Sequence, residues 1–211
     1  MTGSIGRIVL ISLIAACAAQ ANAASFDCAK ASDTTEKLIC ADKALGARDT
    51  MMAKLYALAL KQDDAPRVRD EQRQWLTAVQ ACRDAGCISA HYDERISQLM
   101  DTKGGRAASK VFSRKSGSDE GNLSLYGPVG GLVAVSISAM HYGPNAVQTG
   151  AVFADSASGV AQLHNGRGTF GPADCSFTLS RKGDAAWTVK ENPKNKCTHA
   201  ADVVFSGTYR R

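Results

Sequence analysis

FDCAKASDTTEKLIC, Phe26–Cys40, sets two cysteines on either side of a helix start. Asp33 with Glu36 three residues later is a capping-box pattern, in which each carboxylate takes an otherwise orphaned amide at the helix N-terminus. Leu38 and Ile39 give the helix an apolar side. A helix this short is marginal alone, because isolated helices below about 12 residues rarely persist in water. The two thiols therefore either staple the segment or ligate something, and the redox compartment decides which.

The residues upstream, MTGSIGRIVLISLIAACAAQANA, read as a secretory signal peptide over 1–23. Arg7 is the positive n-region, Ile8 to Ala16 the apolar core, and Ala21-Asn22-Ala23 the cleavage site. The apolar run is shorter than the about 20 residues a membrane span needs. Ile14-Ala15-Ala16-Cys17 also reads as a bacterial lipobox, in which a lipidated Cys17 would anchor the protein to a membrane. Both readings place the mature chain outside the cytoplasm, as a periplasmic or secreted protein. Removal of the leader leaves Cys28, Cys40, Cys82, Cys87, Cys175 and Cys197, an even number in an oxidising space, so disulfides are expected. Local pairing is expected: Cys28 with Cys40, Cys82 with Cys87 and Cys175 with Cys197. A staple between the first and third helices stays open as the alternative.

Charge divides the chain. The formal net charge is +5. Residues 24–101 hold 11 Lys+Arg against 13 Asp+Glu, or −2, and residues 102–211 hold 13 against 7, or +6. The first part carries helical periodicity. A second helix is expected over Ala44–Lys61, with Leu45, Met52, Leu55 and Ala59 on one stripe. Asp63 or Asp64 caps a third, Pro66 fits its first turn, and Val68, Trp75, Val79 and Cys82 recur near a 3.6 period. A fourth presents Ile88, Tyr92, Ile96 and Leu99. Residues 102–120, rich in Gly, Ser, Lys and Arg, read as a flexible basic linker. From Gly121 the period is two, in Leu123/Leu125, Val133/Val135/Ile137, Phe177/Leu179, Trp187/Val189 and Val203/Phe205. Turn signals separate these runs. The fold class is α+β. A small disulfide-stapled bundle of about four helices (24–101) precedes a separate antiparallel β-barrel or sandwich of seven or eight strands (121–211).

The helical part resembles the N-terminal domain of LprI-type lysozyme inhibitors. The resemblance rests on FDCAKA, EKLIC, Asp49 and Tyr56, EQRQWL (Glu71–Leu76), CRDAGC (Cys82–Cys87) and YDERI (Tyr92–Ile96), and covers about residues 25–100. The family often shows an arginine where this chain has Val79-Gln80. The second part resembles β-rich domains attached to that family, which close on a cysteine followed by G-x-Y, here Cys197 and Gly207-Thr208-Tyr209. It also bears a fainter resemblance to the membrane-bound C-type lysozyme inhibitors, through Ala157-Ser158-Gly159 and Lys182-Gly183-Asp184-Ala185-Ala186. Val160-Ala161 stand where those carry Arg/Lys-Tyr.

Other chemistry has little support. Cys82, Cys87 and His91 loosely suit zinc, but in an oxidising compartment disulfides compete for the sulfurs. His91, His141, His164 and His199 are scattered, with no H-E-x-x-H, G-x-S-x-G, P-loop or dinucleotide fingerprint. A binding protein is expected, not an enzyme. No catalytic residue, metal or cofactor is assigned, and nucleic acid is not an expected partner. The resemblance implies lysozyme as partner. Its cleft works through two carboxylates, which an inhibitor would cover with donors. Ser156, Ser158, Arg181 and Lys182, expected on β-module turns, are the candidates. Asp27, Asp33, Asp42 and Asp49 are candidates to meet a basic lysozyme surface, and Trp75, Tyr56, Tyr92, Arg95, Gln72 and Arg83 are open between core and partner. The alternative is an envelope interaction module with a different partner.

Overall fold

The computed structural model describes residues 24–194 and 196–211. The leader, its cleavage site and Cys17 lie outside the described residues. A 3-10 turn at Cys28–Lys30 leads into α1 (Thr34–Ala41), α2 (Lys43–Gln62), α3 (Ala65–Gln80), α4 (Ala85–Met100) and α5 (Lys103–Ala108). Each start has a local cause. The Asp33 carboxylate accepts from Glu36 N and the Glu36 side chain accepts from the Asp33 amide, closing the capping box. Asp42 accepts from Ala44 N and Leu45 N, and Asp84 from Cys87 N. Asp64 holds the N-cap position of α3 without a side-chain hydrogen bond, so Pro66 in the first turn is the local signal there. Disulfides join Cys28–Cys40, Cys82–Cys87 and Cys175–Cys197, with Cα separations of 5.7, 5.6 and 4.8 Å. The expected stripes are buried: Leu45, Met52, Leu55 and Ala59 on α2, Val68 and Val79 on α3, Ile88, Tyr92, Ile96 and Leu99 on α4.

Residues 102–120 differ from the expected linker. They form α5, β1 (Lys110–Ser116) and the first residues of β2 (Asp119–Val129). Gly104 and Gly105 serve close packing there, not flexibility. A Cβ on Gly104 would stand 2.5 Å from the Leu58 carbonyl oxygen, and one on Gly105 would collide with the Leu99 carbonyl. Only glycine lets α5 seat itself against the backbones of α2 and α4. The Asp63 carboxylate ties the seat, accepting from Lys103 N at 3.0 Å and Gly104 N at 3.2 Å.

The remaining strands are β3 (Leu132–Tyr142), β4 (Val152–Gln162), β5 (Arg167–Phe170), β6 (Phe177–Lys182), β7 (Ala186–Glu191) and β8 (Gly207–Arg210), with α6 (Ala146–Thr149) between β3 and β4. The order is β4-β3-β2-β1-β8-β7-β6-β5, antiparallel throughout. The two end strands meet, so the sheet is a nearly closed barrel. At the seam, a Cβ on Gly168 of β5 would lie 2.6 Å from the Gln162 carbonyl oxygen of β4. Leu123, Val135, Ile137, Phe177, Leu179 and Val189 fill the interior with alternate positions. Val203 and Phe205, expected on a strand, are buried from an extended segment before β8. The period of two breaks on β3, where Leu132 and Ala134 are buried as well as Val133 and Val135. Leu132, Ala134 and Val160 point outward and join the apolar cluster of the helices. The helical module is thus packed on the outer wall of β2–β4. No helix among the described residues is long and apolar enough to cross a membrane.

Candidate functional site

α4 stands between two grooves. Its inward residues, Tyr92, Ile96 and Leu99, leave Glu94, Gln98 and the following Asp101 exposed along the opposite side. On one flank a groove of about 600 Å³ lies between α3 and α4, bounded by Arg67, Glu71, Trp75 and His91. On the other, a groove of about 680 Å³ separates α4 from β4 and β5, bounded by Asp93, Ser158, Thr169 and Phe170. Glu94, Gln98 and Asp101 border both. The charged side chains of the two grooves are one cation, Arg67, and four carboxylates, Glu71, Asp93, Glu94 and Asp101. Glu71 pairs with Arg67 and with Arg95, and Asp93 with Arg48 at 2.7 Å. Among the described residues, Glu94 and Asp101 enter no ion pair. The surface is therefore acidic on a chain of net charge +5.

The ridge is held from below. The Arg95 guanidinium is buried beneath it. It donates to Gln72 Oε1 at 3.0 Å, Glu71 Oε2 at 3.3 Å, Gln98 Oε1 at 3.0 Å and the Val68 carbonyl at 3.4 Å. A planar fork with five donors suits this many fixed acceptors. Trp75 is half-buried. Its Nε1 donates to the His91 carbonyl at 2.9 Å, and its ring meets Tyr92 edge-on at 5.0 Å. Tyr92 in turn donates to Asp49 at 2.9 Å. Burial and the Asp49 carboxylate push the Tyr92 phenol far above its ordinary value. Burial also raises the Asp93 carboxyl, against the opposing pull of Arg48. The groove walls are thus ordered before any partner arrives, which lowers the entropic cost of binding.

The four aspartates expected to face a partner are otherwise engaged. Asp27 caps the 3-10 turn, Asp33 caps α1, Asp42 caps α2, and buried Asp49 binds Ser25 N and Tyr92 Oη. Short carboxylates beside orphan amides serve the fold. Tyr92, Arg95 and Gln72 are core groups, Tyr56 is half-buried, and exposed Arg83 donates to the Gln80 and Cys82 carbonyls. The four donor candidates do not converge. Ser156 and Ser158 lie within β4, on its outer face and not on a turn, and Ser158 borders the α4 groove. Arg181 and Lys182 end β6, where Arg181 pairs with Asp184 at the barrel mouth. Glu94, Gln98 and Asp101 were not singled out from sequence, although their spacings of four and three mark one helix face opposite Tyr92, Ile96 and Leu99.

Two groups combine cysteines with histidine: Cys82, Cys87 and His91, and Cys175, Cys197 and His199. In both, the sulfurs are spent in disulfides, and metals take thiolates. His199 sits between two carboxylates, with Nε2 3.0 Å from Glu191 and Nδ1 3.4 Å from Asp155, and stacks edge-on against Phe205. It ties the segment after Cys197 to β4 and β7.

Residues 28–103 match the family model described as Lysozyme inhibitor LprI. No curated protein and no solved structure matches the chain. The match runs from the first cysteine of the N-terminal staple to the first residue of α5 and takes in both walls of the α3–α4 groove. Over residues 28–103 the helical region is therefore similar to the LprI lysozyme inhibitor family, and an eight-stranded antiparallel barrel follows it.

Proposed function

We propose that this is a periplasmic or secreted lysozyme-inhibitor-like binding protein that occludes a lysozyme cleft, with the outer face of α4 as its contact. The observation that carries the reading is the coincidence of the LprI match with the acidic, pre-ordered ridge of Glu94, Gln98 and Asp101. Lysozymes are usually basic, so opposite charge on α4 favours encounter even though the whole chain is cationic. The inhibitor does no chemistry. It excludes substrate, and hydroxyls such as Ser156 and Ser158 beside the ridge donate to the cleft carboxylates on which lysozyme depends. Arg181 and Lys182 are further donors only for a partner large enough to reach the barrel end as well. Lipidation at Cys17 would place the same surface at a membrane.

The test is a turbidity assay of lysozymes acting on bacterial cell walls, with the mature protein added. Inhibition by the wild type is expected, and the double substitution Glu94→Lys, Asp101→Lys should weaken it tenfold or more, with the larger effect at low salt (roughly 1.4 kcal/mol per tenfold). If no lysozyme is inhibited at large molar excess, the reading fails and a different basic envelope partner takes its place.

A further inference from the structure

The barrel is sealed along most of its length and open at one end. Interior residues Leu123, Ile137, Phe177 and Leu179 are 0% exposed, whereas Phe112, Leu125, Val133 and Trp187, on the same inner face, keep 3–8%. These four lie where β1, β3 and β7 begin and β2 ends. They line a cup of about 330 Å³, closed on one side by Leu163 and by the Gly127-Pro128 segment. No residue of the helical module borders it. A helical partner face therefore leaves this cup uncovered, and the β-barrel has a second surface unrelated to the α4 ridge.

The lip of the cup carries Lys110, Arg181 and Asp184. Arg181 and Asp184 form an ion pair, and Arg181 Nε also donates to the Gly183 carbonyl at 3.0 Å. Their charges cancel. Lys110 is exposed and enters no ion pair among the described residues. The cup thus presents apolar and aromatic walls with one uncompensated cation at the rim. A concave apolar site with a few orienting polar groups is the usual form of a small-molecule site, and the volume is at the low end of the range of about 300–1,000 Å³.

We propose that the barrel mouth binds a small amphipathic monoanion, with its apolar body against Trp187, Leu125 and Val133 and its charged head at Lys110. A medium-chain carboxylate has this chemistry. The body leaves water for a surface that is already formed, and the head keeps its solvation while gaining a cation. A neutral or cationic amphiphile of the same length would gain the first term only, or would meet Lys110 with like charge. This proposal does not depend on lysozyme inhibition, because its site shares no residue with the α4 grooves.

The experiment is calorimetric titration of the full mature chain with octanoate, octanol and octylammonium below their micelle concentrations. The two tryptophan indole N–H resonances are followed in parallel, since Trp75 reports the helical module and Trp187 the cup. Saturable binding of octanoate is expected, at least tenfold tighter than octylammonium. Each added methylene should tighten binding by about fourfold until the cup is full. The Trp187 signal should move and the Trp75 signal stay. Lys110→Glu should weaken octanoate about tenfold or more and reverse the preference toward octylammonium. Because Lys110 is exposed, this variant should fold, and its unchanged thermal transition shows that it does. The proposal is overturned if octanoate does not saturate, if octylammonium binds as tightly, if Lys110→Glu leaves the order of affinities unchanged, or if Trp75 responds and Trp187 does not.

Discussion

The helical module and the barrel solve the problem of a unique core by different means. The buried polar and charged side chains Thr35, Asp49, Gln72 and Arg95 all belong to the helices. The barrel interior is apolar and aromatic, with Phe170 and Phe177 stacked at 5.4 Å and Phe205 edge-on to Phe177. Helices can slide and rotate against one another with modest loss of apolar contact, so directional hydrogen bonds from Arg95 and Tyr92 set their register. Strand register is already set by the backbone ladder and by side-chain alternation, so the barrel needs only shape. The same contrast places the surfaces. Polar anchoring in the helical core reaches up to Glu71 and Gln98 and orders an acidic face, while the barrel offers an apolar cup.

The most severe test is loss of Arg95. Arg95→Ala removes the donor that serves Gln72, Glu71, Gln98 and the Val68 carbonyl, and should cost about 3–5 kcal/mol in denaturant unfolding. Arg95→Lys should restore little of it, because an ammonium cannot span those acceptors. Phe177→Ala should cost a similar 3–5 kcal/mol through a cavity. The two should separate by probe: Arg95→Ala perturbs near-ultraviolet signals of Trp75 first, and Phe177→Ala those of Trp187. Identical responses would erase the distinction between the cores.

Next come the staples. On the chain-entropy account, opening Cys175–Cys197 should cost about 3 kcal/mol, opening Cys28–Cys40 slightly less, and opening Cys82–Cys87 about 2, following sequence separations of 22, 12 and 5. Pairwise Cys→Ser variants in thermal melts give the order. A larger loss for Cys82–Cys87 would mean that it supports α4 directly. Tyr92→Phe should cost about 1–3 kcal/mol, because among the described residues buried Asp49 then keeps the Ser25 amide alone.

The smallest effect concerns Asp63, whose carboxyl is held below its ordinary value by the amides of Lys103 and Gly104. A lowered folded-state value means that the carboxylate stabilises the fold above the unfolded pKa of 3.8 and loses this as pH falls through the folded value. Asp63→Asn should therefore lower the melting temperature slightly at pH 7 and by less near pH 2. An equal loss at both values would show that the residue acts through shape alone.

Much of the helical module was legible because its signals are local. Asp33 with Glu36, and Pro66, each mark a helix start within one turn, and the second helix differs from its expected span by one residue at each end. The same local signals misled where glycine was concerned. Gly104-Gly105 reads as slack, yet Gly104 is required by the Leu58 backbone 46 positions away and Gly105 by the Leu99 carbonyl of the preceding helix. Asp27 and Asp42 were legible as charges but not as caps already occupied. β4, with its Ala, Ser and Gly residues, has no strong alternation, so Ser156 and Ser158 resembled turn residues although they lie mid-strand.

The sequence by itself determined where helices begin, which residues face inward, and that the barrel half alternates, because caps and periodicity act over a few residues. Only the tertiary structure decided that Glu94 and Ser158 border one groove, that Arg95 is buried beneath the ridge, and that the barrel stays open at Trp187. Those relations depend on Leu132, Ala134 and Val160 docking against the helices and on β4 meeting β5. They are packing distances between residues far apart in the chain, and no local propensity encodes them.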